Sequence, residues 1–331
     1  MIKLYNYNNI KNRLSFYGGN AGTKKAIYKD NGEKWLIKFP KNTKNFKNVE
    51  IPYTTSIISE YLGSQIYQSI GLPVHETELG IYNNNLVVGC KDFNSEGKTF
   101  YEMKLLFNDY LEEKEKIREM LVSNTESTYN VDIEEISYVL NNNEYIKDNI
   151  EIKKRFWDMF IVDCFINNND RHNGNWGIFV IEKENRISIA PVYDNGNSFF
   201  PKHSEEKMKN IENIKQLISN GRTPYIFKGK SIDSVKVIKN LSLRDNNLNF
   251  GNTEEEKFLK EISDNLQEAL LRIVPKINLE KIIKIIDEIP LQYEKLQIMS
   301  ITMKEYYKTF LKERYYKILL PAFEKSKKIK N

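Results

Sequence analysis

Residues 164–200 read CFINNNDRHNGNWGIFVIEKENRISIAPVYDNGNSFF and hold two carboxylates, Asp170 and Asp194, each in a tight Asn/Gly-rich turn. Between them, Trp176–Lys183 and Arg186–Pro191 are two β-type runs joined by a polar turn at Glu184-Asn185. A hairpin of that kind folds back on itself and returns its flanking ends to one place. The spacing therefore predicts that Asp170 and Asp194 lie side by side. Asn175 follows Asp170 at a distance from which a short turn can aim its amide oxygen at the same point, and Gly196 allows a sharp bend after Asp194. Two carboxylates and an amide oxygen are hard ligands, suited to magnesium held together with the phosphates of a nucleotide.

Upstream, Phe156, Trp157, Phe160, Ile161, Cys164 and Phe165 recur in adjacent pairs four apart. That spacing predicts a thoroughly buried helix over Ile152–Asn167, whose task is to present Asp170 from a rigid base. Downstream, PKHSEEKMKN after Phe200 reads as a polar, flexible segment.

Near the N-terminus, Lys24–Lys29 and Lys34–Phe39 read as strands turned at Asp30-Asn31-Gly32, a strong hairpin signal. Gly18, Gly19 and Gly22 precede the first strand, where backbone N–H groups without side chains can approach phosphate oxygens; alone, such a stretch is as readily an ordinary turn. A helix follows over Tyr53–Ile70, opened by Thr54 or Thr55 and closed by Gly71 before Pro73. Ile57, Ile58, Tyr61, Leu62, Ile66 and Ile70 form its apolar face, with Glu60 at the border, where a carboxylate can equally be a solvated one. Strands His75–Tyr82 and Leu86–Lys91 come next, then a change to polar loop through Asp92, Phe93 and Asn94. Beyond, helices are predicted over 99–123, 132–141, 205–219, 254–274, 278–288 and Tyr293–Lys325.

The D-x-x-x-x-N of Asp170–Asn175, a hairpin, then D-N-G at Asp194–Gly196 resembles the protein-kinase catalytic loop followed by its metal-binding D-F-G. N-N-D-R-H-x-x-N-W-G followed by A-P-x-Y-D-x-G is similar to the HipA-like serine/threonine kinases, and within them to the small bacterial cell-translocating branch. Any one piece is common; the three-part string is far rarer. The resemblance implies an α+β, two-lobed protein-kinase-like fold: a small β-rich N-lobe with one main helix over residues 1–95, and a larger, mainly helical C-lobe over 96–331. It implies that Asp170 accepts or orients the acceptor hydroxyl proton, and that Asn175 and Asp194 hold Mg2+. Lys38 and the glycines Gly18, Gly19 and Gly22 would bind the phosphates of ATP, with Glu60 restraining Lys38. Asp92 and Phe93 would form the hinge that reads the adenine, and His172 would orient the loop beside the nucleotide. The segment after Phe200 takes the position of an activation or substrate-binding segment.

The partners so implied are ATP and a protein with a serine or threonine acceptor, with toxin-like or effector consequences. Larger family members carry a further N-terminal subdomain where this chain has residues 1–13, so antitoxin binding through that region is not implied. Some members phosphorylate themselves in the glycine loop, where Ser15, Tyr17 and Thr23 are the nearby hydroxyls. Two alternatives remain open on sequence alone. One is a kinase-fold enzyme acting on a lipid or small molecule. The other is a nucleotide-binding pseudokinase scaffold, which would have no need for Lys38, Asp170, Asn175 and Asp194 together.

Composition agrees with an ordinary globular chain: 29% charged and 40% hydrophobic residues exclude wholesale disorder, and 331 residues suffice for two lobes. A net charge of +5 suits an anionic small ligand and does not call for nucleic acid. Cys90 and Cys164, the only cysteines, sit in apolar runs and read as reduced core residues. Three scattered histidines and two cysteines make no zinc spacing. MIKLYNYNNIKNR lacks the apolar core of a signal peptide, and no run approaches the ~18 apolar residues of a membrane span. The expectation is a monomer, cytoplasmic at synthesis, with delivery to a host cell added by the resemblance.

Overall fold

The Asp30-Asn31-Gly32 turn behaves as its composition dictates, with Gly32 at φ +83°. It joins β2 (Lys24–Tyr28) to β3 (Lys34–Lys38), which pair antiparallel with Lys24 opposite Lys38. With β1 (Tyr5–Asn6), β4 (Thr77–Tyr82) and β5 (Asn85–Lys91) they make a five-stranded sheet in the order β1-β4-β5-β3-β2. The β1–β4 pair is parallel and the others are antiparallel. This computed structural model describes residues 2–9, 24–94, 96–107, 131–243 and 253–330. Gly18, Gly19, Gly22, Ser15, Tyr17 and Thr23 lie outside the described residues.

Alternation along β3 decides what each face of the sheet does. Trp35 and Ile37 point to one side and bury themselves with Tyr7, Ile27 and Val87 in a small separate core. A Cβ on Gly89 would lie 1.8 Å from the Tyr7 hydroxyl oxygen, so the bare backbone there is what admits that ring. By alternation Leu36 and Lys38 take the opposite face, the side on which helix α1 (Ser56–Ser69) packs. α1 is buried nearly all round, from Ile57 through Ser64 and again at Ile66 and Tyr67. It ends where Gly71 takes φ +81°. Thr55 stands at its N-cap without a side-chain capping bond.

The rest of the chain is mainly helical, with short strands. α2 (Ile133–Asn142) is capped by Asp132, and α3 (Ile150–Ile166) by Asn149. α3 ends at Asn167 in the left-handed region, φ 56°. Its side chains are buried almost without break from Arg155 to Ile166, in agreement with the aromatic pairs of the sequence. Three strands, Thr99–Glu102, Gly177–Ile181 and Arg186–Ile189, form an antiparallel sheet beside it. The last two are the expected hairpin.

Several sequence expectations change. Residues 99–102 are strand rather than helix, paired from Thr99 opposite Val180 to Glu102 opposite Gly177; helix begins at 103, and the expected stretch beyond 107 lies outside the described residues. The helix expected over 205–219 forms in two pieces, Glu205–Lys209 and Ile211–Ile218, parted at Asn210, with Ser204 accepting from the Lys207 N–H and Met208 buried. A single helix from Tyr293 to Lys325 does not form. A two-stranded hairpin of Gln292–Tyr293 with Leu296–Gln297 comes first, then helix Ile301–Arg314 capped by Ser300. A widened, π-type turn over Tyr315–Leu319 leads into Leu320–Lys330. An antiparallel pair, Arg222–Phe227 with Lys230–Asp233, was not anticipated. Among the described residues no helix is long and apolar enough to cross a membrane.

Candidate active site

The hairpin returns its ends as its length requires, and Asp170 and Asp194 line one cavity of about 150 Å³ together with Lys38 and Glu60. Lys38 reaches this place because its strand position puts it on the α1 side of the sheet. Its Nζ lies 2.9 Å from Glu60 Oε2 and 2.9 Å from Asp194 Oδ1. Burial by itself would lower the lysine pKa, but the Asp194 and Glu60 carboxylates outweigh it and hold it well above its usual value. The Lys38 charge holds Asp194 below the ordinary carboxylate range; for Glu60, burial pushes upward and the same lysine pulls the group below that range. The three groups are therefore ionised together at neutral pH.

Glu60 is restrained on its other oxygen as well. Oε1 accepts from the Asn195 backbone N–H at 3.1 Å and lies 3.0 Å from His75 Nε2. Ser64 Oγ joins the network, 3.1 Å from His75 Nε2 and 3.1 Å from Asn195 Nδ2. Glu60, His75 and Cys90 bring potential ligand atoms within 4.8 Å of one another. Glu60 is already bound to Lys38, and burial pushes the Cys90 thiol upward, so the trio reads as a hydrogen-bonded support for Glu60.

Asp194 itself stands at φ 59°, in the left-handed region that Asp tolerates better than most residues. What holds it there is the next residue. Asn195 is fully buried, and its side chain joins Ser64 to the guanidinium of Arg171, whose Nη2 lies 2.5 Å from Asn195 Oδ1. Gly63 of α1 packs directly on Asn195: an added Cβ would lie 2.7 Å from Asn195 Cβ. Gly63→Ala ought to favour a helix by up to ~1 kcal/mol. Here the expected outcome is a destabilisation of about 1–3 kcal/mol from the overpacked contact, read as a lower melting temperature.

Arg171 ties the Asp170–Asn175 loop to the rest. It pairs with Asp163 of α3 through Nε at 2.9 Å and donates to the carbonyls of Asn175, at 2.7 Å, and Tyr193. Tyr67 and Asn168 also bond to Asp163. Asn175 Nδ2 donates to the Asp170 carbonyl at 2.7 Å, which leaves the amide oxygen as the group able to ligate. Asp194 keeps 36% of its side chain exposed toward the cavity it shares with Asp170. The two carboxylates on this turn-and-hairpin unit suit a hard divalent cation, whereas Asn175 is buried and is not among the residues that line their shared cavity.

The remaining expected site residues fall out differently. His172 turns inward on its own loop, its Nδ1 accepting from the Gly174 N–H at 3.0 Å, so it shapes the turn. Asp92 donates its backbone N–H to the Lys34 carbonyl and pairs with Lys34 through its side chain. The Phe93 ring packs 5.6 Å from Tyr193 and 5.3 Å from Phe100. Neither borders the cavity around Lys38. Sequence reasoning missed Arg171, Asp163, His75 and Asn195; Arg171 and Asn195 each directly follow a carboxylate that it did identify.

The HipA-like C-terminal domain family matches residues 15–269. The chain is 34% identical over 307 residues to the serine/threonine-protein kinase CtkA of Helicobacter pylori strain J99, covering 92% of this chain and 82% of that one. The crystal structure of the Helicobacter pylori proinflammatory kinase CtkA superposes with a TM-score of 0.75 at 26% identity, covering 99% of this chain and 100% of that one. HipA from a Shewanella oneidensis MR-1 toxin–antitoxin complex with HipB and operator DNA shares the fold at a TM-score of 0.54 and 14% identity, over 95% of this chain and 67% of that one. The motif string, the two-lobed α+β architecture and these likenesses agree, and the chain belongs to the HipA-like C-terminal domain family.

Proposed function

We propose that the chain is a serine/threonine protein kinase that uses ATP and magnesium. The observation that carries this reading is the convergence of Lys38, Glu60, Asp170 and Asp194 on one cavity, in a chain 34% identical to a serine/threonine-protein kinase over 92% of its length. Phosphoryl transfer asks little covalent chemistry of a protein and much positioning and charge neutralisation. Lys38, fixed by Glu60, would bind the phosphates together with Gly18, Gly19 and Gly22. Asp194 and the Asn175 amide oxygen would hold magnesium, which would supply charge neutralisation at the phosphates. Asp170 orients the acceptor hydroxyl and takes its proton. Asp92 and Phe93, which follow β5, would form the hinge that reads the adenine. A toxin- or effector-like role belongs to the same proposal; it is supported by one relative described as proinflammatory and another from a toxin–antitoxin system.

The test is transfer of labelled γ-phosphate from magnesium–ATP to protein, followed by acid hydrolysis of the labelled product. Phosphoserine or phosphothreonine is expected, and chelation of the metal should abolish the label. Label confined to inorganic phosphate, to lipid or to a small-molecule acceptor would refute the assignment.

A further inference from the structure

We propose that the groove running from Asp170 along residues 197–203 and 217–222 receives the acceptor polypeptide and selects an acidic residue close to the serine or threonine. This rests on the kinase reading above and deepens it. The groove is a cavity of about 640 Å³, and Asn169, adjacent in sequence to Asp170, is part of its wall. Asn197, Pro201 and Lys202 border both this groove and the cavity around Lys38, so the two spaces adjoin along these residues. Asn167, Asn169, Asn197 and Asn220 supply amide groups able to pair with an extended peptide backbone.

The groove is held rigidly. Arg314, fully buried, donates to the carbonyls of Leu217 at 2.7 Å and Asn220 at 3.0 Å, and on its other side to Cys164 of α3 at 3.0 Å. On the opposite wall, His203 stacks on Phe200 with ring centroids 5.0 Å apart and lies 3.1 Å from the Tyr306 hydroxyl. Burial, then the Lys207 charge, pushes the His203 pKa down, which leaves it a neutral prop at pH 7. Lys202, next to it, is exposed, with its ammonium 4.7 Å from the centroid of the Phe46 ring.

The charge balance of the groove is what gives the prediction its sign. Lys202 and Arg222 are exposed cations on its rim. The carboxylate facing them, Asp233, is engaged elsewhere: its Oδ1 accepts from the backbone N–H groups of Gly221, Val235 and Lys236. A peptide entering this space meets two cations and one committed acid. An acidic residue beside the acceptor gains from that field, and a basic one is repelled.

The experiment compares kcat/KM of the full chain on serine peptides that differ only in flanking residues: aspartate, alanine or lysine. The aspartate peptide is expected to exceed the alanine peptide by about tenfold, the scale of one well-formed charged contact. In Arg222→Glu that ratio should fall to one or invert toward the lysine peptide, and in Arg222→Ala it should shrink. The ratio is read within each protein, so a general loss of activity or fold cannot imitate the effect; where the reversal fails to fold, the alanine variant carries the test. Equal rates on all flanks, or an unchanged ratio in both variants, would overturn the groove assignment alone. Absence of transfer to any peptide or any lysate protein would instead bring down the kinase reading beneath it.

Discussion

Asp170→Ala is expected to lower phosphoryl transfer to serine or threonine by a factor on the order of 10²–10⁴, the range for loss of a positioned general base. The geometry makes this a clean substitution. Asp170 is half-buried at the edge of the cavity, and its backbone carbonyl, rather than its carboxylate, accepts from Asn175 Nδ2 and the His172 N–H. Removing the carboxylate therefore leaves the hydrogen bonds that fold the loop in place. Lys38, Glu60 and Asp194 keep their mutual contacts, so nucleotide binding measured by calorimetry should change little while turnover collapses. Transfer at the wild-type rate would show that Asp170 is not the residue that meets the acceptor.

Arg171→Ala is expected to act on the fold, costing about 3–5 kcal/mol, because truncating one partner leaves a buried charge uncompensated. The side chains of Arg171 and Asp163 are 2% and 7% exposed. The guanidinium bonds at once to α3, the Asp170–Asn175 loop and the Asp194 turn, through Asp163, the carbonyls of Asn175 and Tyr193, and Asn195. Denaturant unfolding followed by circular dichroism checks the loss. Arg171→Lys keeps the charge without the planar fork and should recover only part of the stability. A lysine variant as stable as wild type would mean that charge alone, and not the set of directed bonds, holds the loop.

The carboxylates and the lysine were legible in the sequence because each is tied to a local signal. Asp170 and Asp194 flank a hairpin, Lys38 ends a strand opened by an Asp-Asn-Gly turn, and Glu60 borders a helix with a regular apolar stripe. The supporting bonds were not legible. Nothing in a one-dimensional pattern separates a buried Arg171 or Asn195 from a solvated one; their partners lie on elements far along the chain, such as Ser64 and Asp163. The helical reading of 99–102 failed for a different reason. Four residues are too few for periodicity to decide, and pairing with Gly177–Ile181 overrides local preference. The strands at 222–233 carried a signal, a Lys228-Gly229 turn between short β-type runs, with Gly229 at φ +72°. The break in the long C-terminal helix has a readable cue in Ser300, whose side chain accepts from the Met303 N–H.

Because α1 is enclosed on nearly every side, control of this enzyme by swinging that helix outward is energetically remote. Such a swing would hydrate Ile57, Ile58, Leu62 and Ile66, each worth roughly 1.5–3 kcal/mol when fully buried, and would tear Glu60 from Lys38, His75 and the Asn195 N–H. The contacts of Glu60 with Lys38, His75 and Asn195 therefore persist in any state that leaves the packing of α1 intact.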